Sequence, residues 1–591
     1  MDEVSVDPVT HSVITNALDE IAAEMDEIVV RTARNLPIVL AHDFSVGLTD
    51  GQGRLIGGTQ GIPVHLGSID MTVQMVIELV PEIEPGDVVL TNDPYRAANT
   101  HMPDFTMVSP VYGPDEDGDG DPVLYMALRA DQADIGAKDP VRSPVDTEEA
   151  YNDGLIIPPV KVVRNDEVIQ DVIGLITRNS RVEKVQRGDL SSMIGAIRKG
   201  KERSVELLER YGVETVRAST DRLLSTTERK VREYVADLPD GTYRGHSQTD
   251  ANPKSDDPVH IRVAVTVDGE DVTFDFGGSS EQIRAPINNT IGVTHSAVNS
   301  AWFVTMDLDI PFNAGCVDVV DVEAPMGSIV NPEFPYATGY STVDCVQETM
   351  EACLDALTEV NPRNAPAGWS RWVRPMTSGT YPGSGEEYRG AVSSVMGGGG
   401  AVWGRDGMNA IGGIILLGGF VGIDPEMFEA MYPMSIDEMD LRKDSGGAGR
   451  WRGGLGPTVE ISPDGHESIF SVGGDFGRES PPHGHLGGND GDSVRVFHER
   501  ASGEREELER SWTNLYITDG RYVQESGGGG GVGDPHERDP EMVRRDVKNG
   551  YVSRAAAREE YGVVLSEDLA IDREATSRRR SDASVGGEDD E

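Results

Sequence analysis

Apolar residues recur at helical spacing near the start of the chain. Between positions 11 and 33 they lie three or four residues apart, at Ile14, Leu18, Ile21, Met25 and Ile28. This spacing puts them on one face and predicts an amphipathic helix. Residues 190–237 are charged and also helical in pattern, and we expect a further helix near residues 343–358.

Elsewhere the pattern changes to short apolar runs broken by Gly, Pro and Asp. Such runs occupy residues 46–48, 88–90, 107–108 and 123–125, and others follow at 263–265 and 272–274. Short apolar runs between turn-forming residues are typical of β-strands. We therefore predict strands joined by functional loops between residues 43 and 134.

The second half of the chain is very rich in glycine. Runs occur at residues 397–400, 446–447, 453–454 and 527–531. Glycine at this density permits tight turns and close approaches between backbones, as in a β-rich domain. The predicted fold class is α+β, mixed and multi-domain, with an N-terminal α/β region and a Gly-rich, β-dominated C-terminal half.

The same patterns divide the chain into four regions. An N-terminal region with the candidate site spans 1–240, a central α+β region 241–380, and the Gly-rich region 381–572. The tail, 573–591, is charged and poor in apolar residues, so we expect it to be disordered.

Charge narrows the possible functions. The formal net charge of the 591 residues is −50, with Asp and Glu spread along the whole sequence. Nucleic-acid phosphates attract cations, so this surface does not suit a nucleic-acid-binding protein. An acidic partner-binding surface is one interpretation. The favoured one is a halophilic protein, whose self-repulsion is screened in molar salt and which loses structure in dilute buffer.

The lack of a recognisable signal peptide or membrane span, together with the cysteine positions, favours a cytoplasmic protein. The first residues lack the basic and apolar regions of a signal peptide, and no apolar run reaches the length of a membrane span. Cys345 and Cys353 are eight positions apart in a predicted helix, about 12 Å, which is too far for a disulfide. We expect buried thiols in a reducing compartment.

The candidate chemistry begins with His101 and Asp104, three positions apart in a segment that Pro94 and Pro103 stiffen. An imidazole nitrogen and a carboxylate oxygen are a common ligand set for a divalent metal. Three of the twelve histidines lie between positions 42 and 101. Taken singly, His42 and His65 fit hydrogen-bonded structural residues better than ligands.

A nucleotide site is not supported by the glycine-rich runs. Residues 195–201 approach the Walker A pattern, but Glu202 stands where a Ser or Thr hydroxyl must bind magnesium. The stretch is also helical and charged, without a preceding apolar strand. The sequence therefore shows no recognisable nucleotide site.

Long motifs in a fixed order resemble the hydantoinase B family, which includes part of 5-oxoprolinase and subunits of acetone and acetophenone carboxylases. The matching segments are residues 43–45, 61–68, 86–87, 92–95, 101–104, 133–136, 154–159, 188–190, 444–456, 527–535, 546–553 and 561–563. The resemblance thus runs almost end to end.

This resemblance implies a B-type subunit, as in N-methylhydantoinase, that opens a hydantoin-like or 5-oxoproline-like ring. ATP is expected on an A-type partner, and a divalent metal (Mn, Mg or Zn) on this chain. The implied metal ligands are His101, Asp104 and Asp131. The implied catalytic residues are Asp43, His65 and Asp93.

The sequence departs from the family pattern in two places. Members commonly carry two adjacent histidines where this chain has Asp131-Gln132, a change that favours magnesium or manganese over zinc. Ala98-Asn99 replaces a Gly-Gly pair. Two alternatives stay open: a ketone carboxylase subunit, since the family includes such subunits, and a non-catalytic scaffold that has lost its metal, which the Asp131-Gln132 change favours.

Overall fold

A computed structural model describes residues 6–59, 61–114, 120–138, 147–392, 395–417, 422 and 424–585. The chain forms two compact units. Unit 1 contains residues 1–246, 260–356 and 415–421, and unit 2 contains residues 247–259, 357–414 and 422–591. The four regions drawn from the sequence stay a prediction.

The helices and strands are numbered in chain order. The helices are α1 (Pro8–Thr32), α2 (Leu36–Ala41), α3 (Pro63–Leu66), α4 (Ile69–Leu79), α5 (Ala150–Asp153), α6 (Gln170–Arg178), α7 (Glu183–Tyr211), α8 (Val213–Ala236), α9 (Ile291–Thr305), α10 (Ala314–Val317), α11 (Val346–Val360), α12 (Pro425–Met431), α13 (Pro540–Lys548), α14 (Arg554–Glu559) and α15 (Arg573–Val585). The strands are β1 (Phe44–Asp50), β2 (Leu55–Thr59), β3 (Val88–Thr91), β4 (Asp104–Val111), β5 (Leu124–Asp131), β6 (Val160–Arg164), β7 (Glu167–Val168), β8 (Gly241–Gln248), β9 (His260–Asp268), β10 (Asp271–Asp275), β11 (Val320–Glu323), β12 (Arg374–Thr380), β13 (Glu387–Ala391), β14 (Met434–Leu441), β15 (Pro457–Pro463), β16 (Ser468–Gly473), β17 (Arg495–Glu499), β18 (Arg505–Glu507), β19 (Thr513–Ile517) and β20 (Arg521–Glu525).

The predicted N-terminal helix is confirmed as α1. Asp7 caps it by accepting the backbone N–H groups of Val9 and Thr10 through Oδ1, which satisfies donors that the first helical turn leaves unpaired. Its apolar stripe is buried, and it packs on α7 in the main core of unit 1. The helices expected within 190–237 and near 343–358 are α7, α8 and α11.

A seven-stranded antiparallel sheet organises unit 1, in the order β2-β1-β5-β4-β3-β6-β7. All four strands predicted between residues 43 and 134 belong to it. One apolar face of the sheet shares a core with α1 and α7, and the other shares a core with α4. Because helices pack against both faces, the central strands β1, β5 and β4 are buried along their length.

Smaller sheets complete the two units. In unit 1, β11-β10-β9-β8 forms a four-stranded sheet that includes the strands predicted at 263–265 and 272–274. In unit 2, the sheets run β13-β12-β16-β19 and β14-β15-β20-β17-β18. The mixed, multi-domain α+β class with a β-dominated C-terminal half is therefore confirmed.

The glycine runs of unit 2 form what we call the glycine bundle, made of residues 397–401, 446–449, 453–456 and 527–532. These segments lie outside the strands and hydrogen-bond to one another through the backbone. Gly454 N–H donates to Gly399 (2.9 Å), and Gly529 N–H donates to Gly454 (2.9 Å). A Cβ on Gly453 would lie 1.8 Å from the Gly529 carbonyl oxygen, so the backbones pack where no side chain fits.

The C-terminal helix corrects one expectation. Composition predicts disorder for residues 573–591, but Arg573–Val585 is helical, and that expectation is wrong for this part of the tail. Arg580 donates to the carbonyl oxygens of Tyr561 (3.0 Å) and Arg538 (2.8 Å), so its arginines serve as anchors. Residues 586–591 lie outside the described residues.

A helix that crosses a bilayer must be both long and continuously apolar. Within the described ranges, no helix of this chain meets both requirements.

Candidate metal centre

Three carboxylates line up across the central strands of the seven-stranded sheet. Asp104 begins β4 and pairs directly with Asp131, which ends β5. Asp43 immediately precedes β1 on the other side of β5, and its carbonyl accepts the Asp131 N–H at 3.1 Å. The antiparallel register therefore gathers side chains that are far apart in sequence at one end of three neighbouring strands.

His101 reaches the same place from the loop before β4. A tight turn, in which Asp104 N–H donates to the His101 carbonyl at 3.1 Å, sets their spacing. The ring Nε2 lies 3.1 Å from Asp104 Oδ1 and 3.5 Å from Asp131 Oδ2. Its Nδ1 lies 2.9 Å from the Gly339 carbonyl oxygen, which can only accept, so Nδ1 carries a proton. In a neutral ring, Nε2 then presents a lone pair to the carboxylates.

The carbonyl that orients His101 is itself held in place. Asp153 Oδ2 accepts the N–H groups of Thr338 (2.9 Å) and Gly339 (3.0 Å). A side chain at position 339 would collide with Asp153, because a Cβ there would lie 2.5 Å from Oδ1. Metal-binding histidines characteristically donate their second ring N–H to a backbone carbonyl in this way. No sequence spacing points to this contact, which joins residues 238 positions apart.

His65 forms the next wall of the site from the short helix α3. Its Nε2 lies 3.2 Å from Asp104 Oδ2 and 3.8 Å from Asp43 Oδ1. The ring is 2% exposed, and its Nδ1 has no hydrogen-bond partner among the residues that the structure describes. His65 thus faces the carboxylates in the cluster as well as helping to fill the core.

These residues fit a divalent cation. One ligand atom from each of His101, Asp104 and Asp131 lies within 4.8 Å of the others, and all three side chains are buried. Asp104 Oδ1 is buried without a well-aligned hydrogen bond from any described residue, despite Nε2 at 3.1 Å. Carboxylates placed directly opposite one another across two strands repel. A cation between them removes that repulsion and gives the oxygen a partner.

The electrostatics of the metal-free cluster support the same conclusion. Burial disfavours a charged ring at His101, but Asp104 and Asp131 outweigh it and raise the pKa of His101 to about 10. Burial would raise the pKa of Asp104, yet the neighbouring His101 and His65 hold it well below its usual range. Without a metal, a proton on His101 supplies the positive charge that the carboxylates require.

The sequence candidate Asp93, and Gln132 beside the candidate Asp131, have contacts of another kind. Asp93 Oδ1 accepts the N–H groups of Tyr95 (3.0 Å) and Arg96 (3.1 Å), the contacts of a residue that caps a turn. Gln132 donates to the Ala130 carbonyl (3.1 Å) and contacts a methionine of α7, in the core on the opposite face of the sheet. Of the unusual Asp131-Gln132 pair, it is therefore Asp131 that faces His101.

A buried site of two imidazoles and three carboxylates, at the end of an antiparallel sheet, defines a class of candidate metal-dependent proteins. The sequence narrows this class, because residues 7–535 match the model for Hydantoinase B/oxoprolinase. The chain belongs to this family, as its motifs indicated. It is 32% identical over 589 residues to the beta subunit of caprolactamase from Pseudomonas jessenii, covering 98% of this chain and 99% of the relative.

Other relatives extend this comparison. The B subunit of a putative D-/L-hydantoinase from a Pseudomonas species is 31% identical over 602 residues, covering 97% of this chain and 98% of the relative. The crystal structure of the ATP-dependent caprolactamase from Pseudomonas jessenii superposes with a TM-score of 0.86 at 31% identity, covering 98% of this chain and 100% of that chain. A nucleotide-free acetone carboxylase structure superposes with a TM-score of 0.84 over 98% of this chain and 83% of its own; at 20% identity it shows a shared fold.

Proposed function

We propose that this chain is the B-type subunit of an ATP-dependent amidohydrolase that opens a hydantoin-like or 5-oxoproline-like ring. The observation that carries the proposal is the buried convergence of His101, Asp104 and Asp131, with the His101 ring oriented by Gly339. Relatives that are named as the beta or B component of their enzymes support a multi-subunit assembly. ATP binding is assigned to an A-type partner, and the cytoplasm is the expected location.

His101 Nε2 and the carboxylates of Asp104 and Asp131 would hold the metal. When bound, a divalent ion polarises a substrate carbonyl or lowers the pKa of a water molecule. Two carboxylates and a single imidazole favour manganese or magnesium over zinc. Asp131 is an acceptable ligand in place of a histidine, which argues against a scaffold that has lost its metal.

We assign proton transfer to His65, with Asp43 as its partner. His65 Nε2 lies between Asp104 Oδ2 and Asp43 Oδ1, so a proton on this nitrogen is held toward the carboxylates. From there His65 can protonate the ring nitrogen that leaves when the cyclic amide opens. Asp93 was also predicted to be catalytic; in this proposal it shapes the loop that leads to His101.

Co-expression with the A-type partner tests the function. We expect ATP hydrolysis in molar KCl that depends on a hydantoin, 5-oxoproline or another lactam, and that is lost in the His101→Ala complex. His246→Ala is the matched control, because that histidine is an exposed residue of β8. ATP hydrolysis that responds only to a ketone with bicarbonate would replace this proposal by the carboxylase alternative. No activity, together with no bound metal, would favour the scaffold.

A further inference from the structure

Beneath the candidate metal centre lie three fully buried polar residues that the proposed chemistry does not use. They are Asn99, Thr106 and Arg129, each with 0% of its surface exposed. Thr106 and Arg129 are directly paired across β4 and β5, two residues from Asp104 and Asp131 respectively. Strand residues two positions apart face the same side of a sheet, so these residues lie under the candidate ligands.

Asn99 closes the turn that carries two of these ligands. Its Nδ2 donates to the carbonyl oxygens of His101 (2.9 Å) and Asp104 (2.7 Å). One amide group thereby links the backbones of both residues and sets the spacing between them. The turn is also held by Asn92 Nδ2, which donates to the Met102 carbonyl (2.6 Å), and by the Gln132 N–H, which donates to the Pro103 carbonyl (2.9 Å), but Asn99 alone among these side chains donates to the carbonyls of both His101 and Asp104.

The orientation of this amide follows from the donors beneath it. A guanidinium can only donate hydrogen bonds, and Arg129 Nε donates to Thr106 Oγ1 at 2.9 Å. The threonine hydroxyl has one hydrogen, which it donates to Asn99 Oδ1 at 2.7 Å. With Oδ1 fixed toward Thr106, Nδ2 must face the two carbonyls. Arg129 therefore sets the donor and acceptor roles in the series of hydrogen bonds that runs from Arg129 through Thr106 to Asn99.

Arg129 also holds the segment that carries His65. Its Nη1 donates to the His65 carbonyl (2.8 Å) and to Ser68 Oγ (3.2 Å), and its Nη2 donates to Thr72 Oγ1 (2.6 Å). One buried guanidinium thus ties the His65 segment to the turn of His101 and Asp104. The signal in the sequence was an isolated arginine within the apolar strand β5.

We propose that Asn99, Thr106 and Arg129 form a positioning relay that sets the metal affinity of this centre, an inference that rests on the proposed function. Residues that orient metal ligands through hydrogen bonds typically change metal affinity by about 10- to 100-fold when they are removed. The relay acts on the geometry of the ligands and does not itself contact metal or substrate.

Thr106 offers the sharpest test, because Thr106→Val keeps the shape and removes the hydroxyl, whereas Thr106→Ser keeps the hydroxyl. The affinity of the full-length chain for Mn²⁺ is measured by isothermal titration at fixed pH and salt, with the melting temperature alongside. We expect binding about 10- to 100-fold weaker in Thr106→Val, and affinity within about threefold of wild type in Thr106→Ser. A merely structural role would lower the melting temperature and leave the affinity unchanged.

Asn99→Ala is a second variant, which still tests the relay if Thr106→Val does not fold. Its control is Asn313→Ala, a buried asparagine that donates to Thr227 Oγ1 and accepts the Gly315 N–H away from the centre. Asn99→Ala should weaken Mn²⁺ binding, whereas Asn313→Ala should lose stability only. Wild-type affinity for Mn²⁺ in both Thr106→Val and Asn99→Ala would contradict the proposed relay but not the proposed metal centre. A wild-type chain that binds no Mn²⁺ would remove the metal centre and the relay together.

Discussion

The candidate metal centre and the glycine bundle are both buried and polar, but they satisfy their polar groups in opposite ways. In the bundle, backbone N–H and carbonyl groups of neighbouring segments pair with one another. In the metal centre, carboxylates of Asp104 and Asp131 face each other across two strands, and Asp104 Oδ1 lacks a well-aligned donor among the described residues. The bundle hydrogen bonds are made within the chain, whereas the proposed metal would come from outside it.

The two regions restrict the residue types at their positions for different physical reasons. Most bundle glycines are dictated by space, because another backbone lies where a side chain would be. The residues of the centre are dictated by chemistry, since apolar residues would fill the same volume at lower cost. Substitutions should therefore break folding in the bundle and ligand binding in the centre.

The largest effect is expected for Gly453→Ala. The added Cβ would meet the Gly529 carbonyl carbon and oxygen and the Gly530 carbonyl oxygen, and none of these backbone atoms can move aside locally. We expect a loss of more than about 4 kcal/mol in unfolding free energy, or no folded protein. Gly465→Ala is the control, in an open turn at φ +71°, and should cost about 1 kcal/mol. Similar denaturation midpoints for the two variants would refute the steric account.

Next in size are His101→Ala and Asp104→Ala. Each removes a proposed ligand of the metal ion that would place positive charge at the reacting carbonyl, so turnover by the assembled enzyme should fall about 10³-fold or more. The fold should be kept, as judged by circular dichroism and melting in molar KCl. Either variant with wild-type turnover would mean that the chemistry takes place elsewhere.

The charge balance of the centre gives a pH prediction of intermediate size. A His101 pKa raised to about 10 stabilises the metal-free fold fully below the unfolded pKa of about 6.5, and the contribution is lost as pH rises through about 10. Metal must displace this proton, so Mn²⁺ affinity should rise about tenfold per pH unit between about pH 7 and pH 9. Titration calorimetry in buffers of different ionisation enthalpy measures the released proton. A flat pH profile would contradict this assignment of charge.

The smallest effect concerns glycine as a residue that relieves backbone strain, in contrast to its steric role in the bundle. Ala98 has φ +48°, a backbone conformation that costs a non-glycine residue about 1 kcal/mol or more. Ala98→Gly should therefore raise the unfolding free energy by up to about 0.5 kcal/mol, after the entropic cost of glycine. Ala97→Gly, where φ is not positive, should lower it by about 1 kcal/mol. Chemical denaturation compares the two, and equal losses would show that no strain is relieved.

Local patterns in the sequence predicted most of the helices and the strands around the centre. Helix α1 and strands β1, β3, β4 and β5 follow from spacing that the chain itself displays. The pair His101 and Asp104 is local too, because a single turn joins them. Their meeting with Asp131 depends on the β4–β5 register, and only the family resemblance pointed to it in advance.

Other features depend on contacts that the sequence does not display. The His101 ring is oriented by Gly339, 238 positions away, and nothing in the spacing of either segment indicates it. The tail was predicted to be disordered from composition, but α15 is anchored by arginine donors such as Arg580. In both places tertiary hydrogen bonds decide the structure, and local propensity does not report them.

Metal content tests the central claim most directly. Full-length wild-type chain, His101→Ala and Asp104→Ala are stripped of metal, equilibrated with Mn²⁺ in molar KCl, and analysed by mass spectrometry and titration calorimetry. The account predicts about one Mn²⁺ per wild-type chain and a loss of high-affinity binding in both variants. A wild-type chain without stoichiometric metal, or variants that bind Mn²⁺ as tightly as wild type, would contradict it.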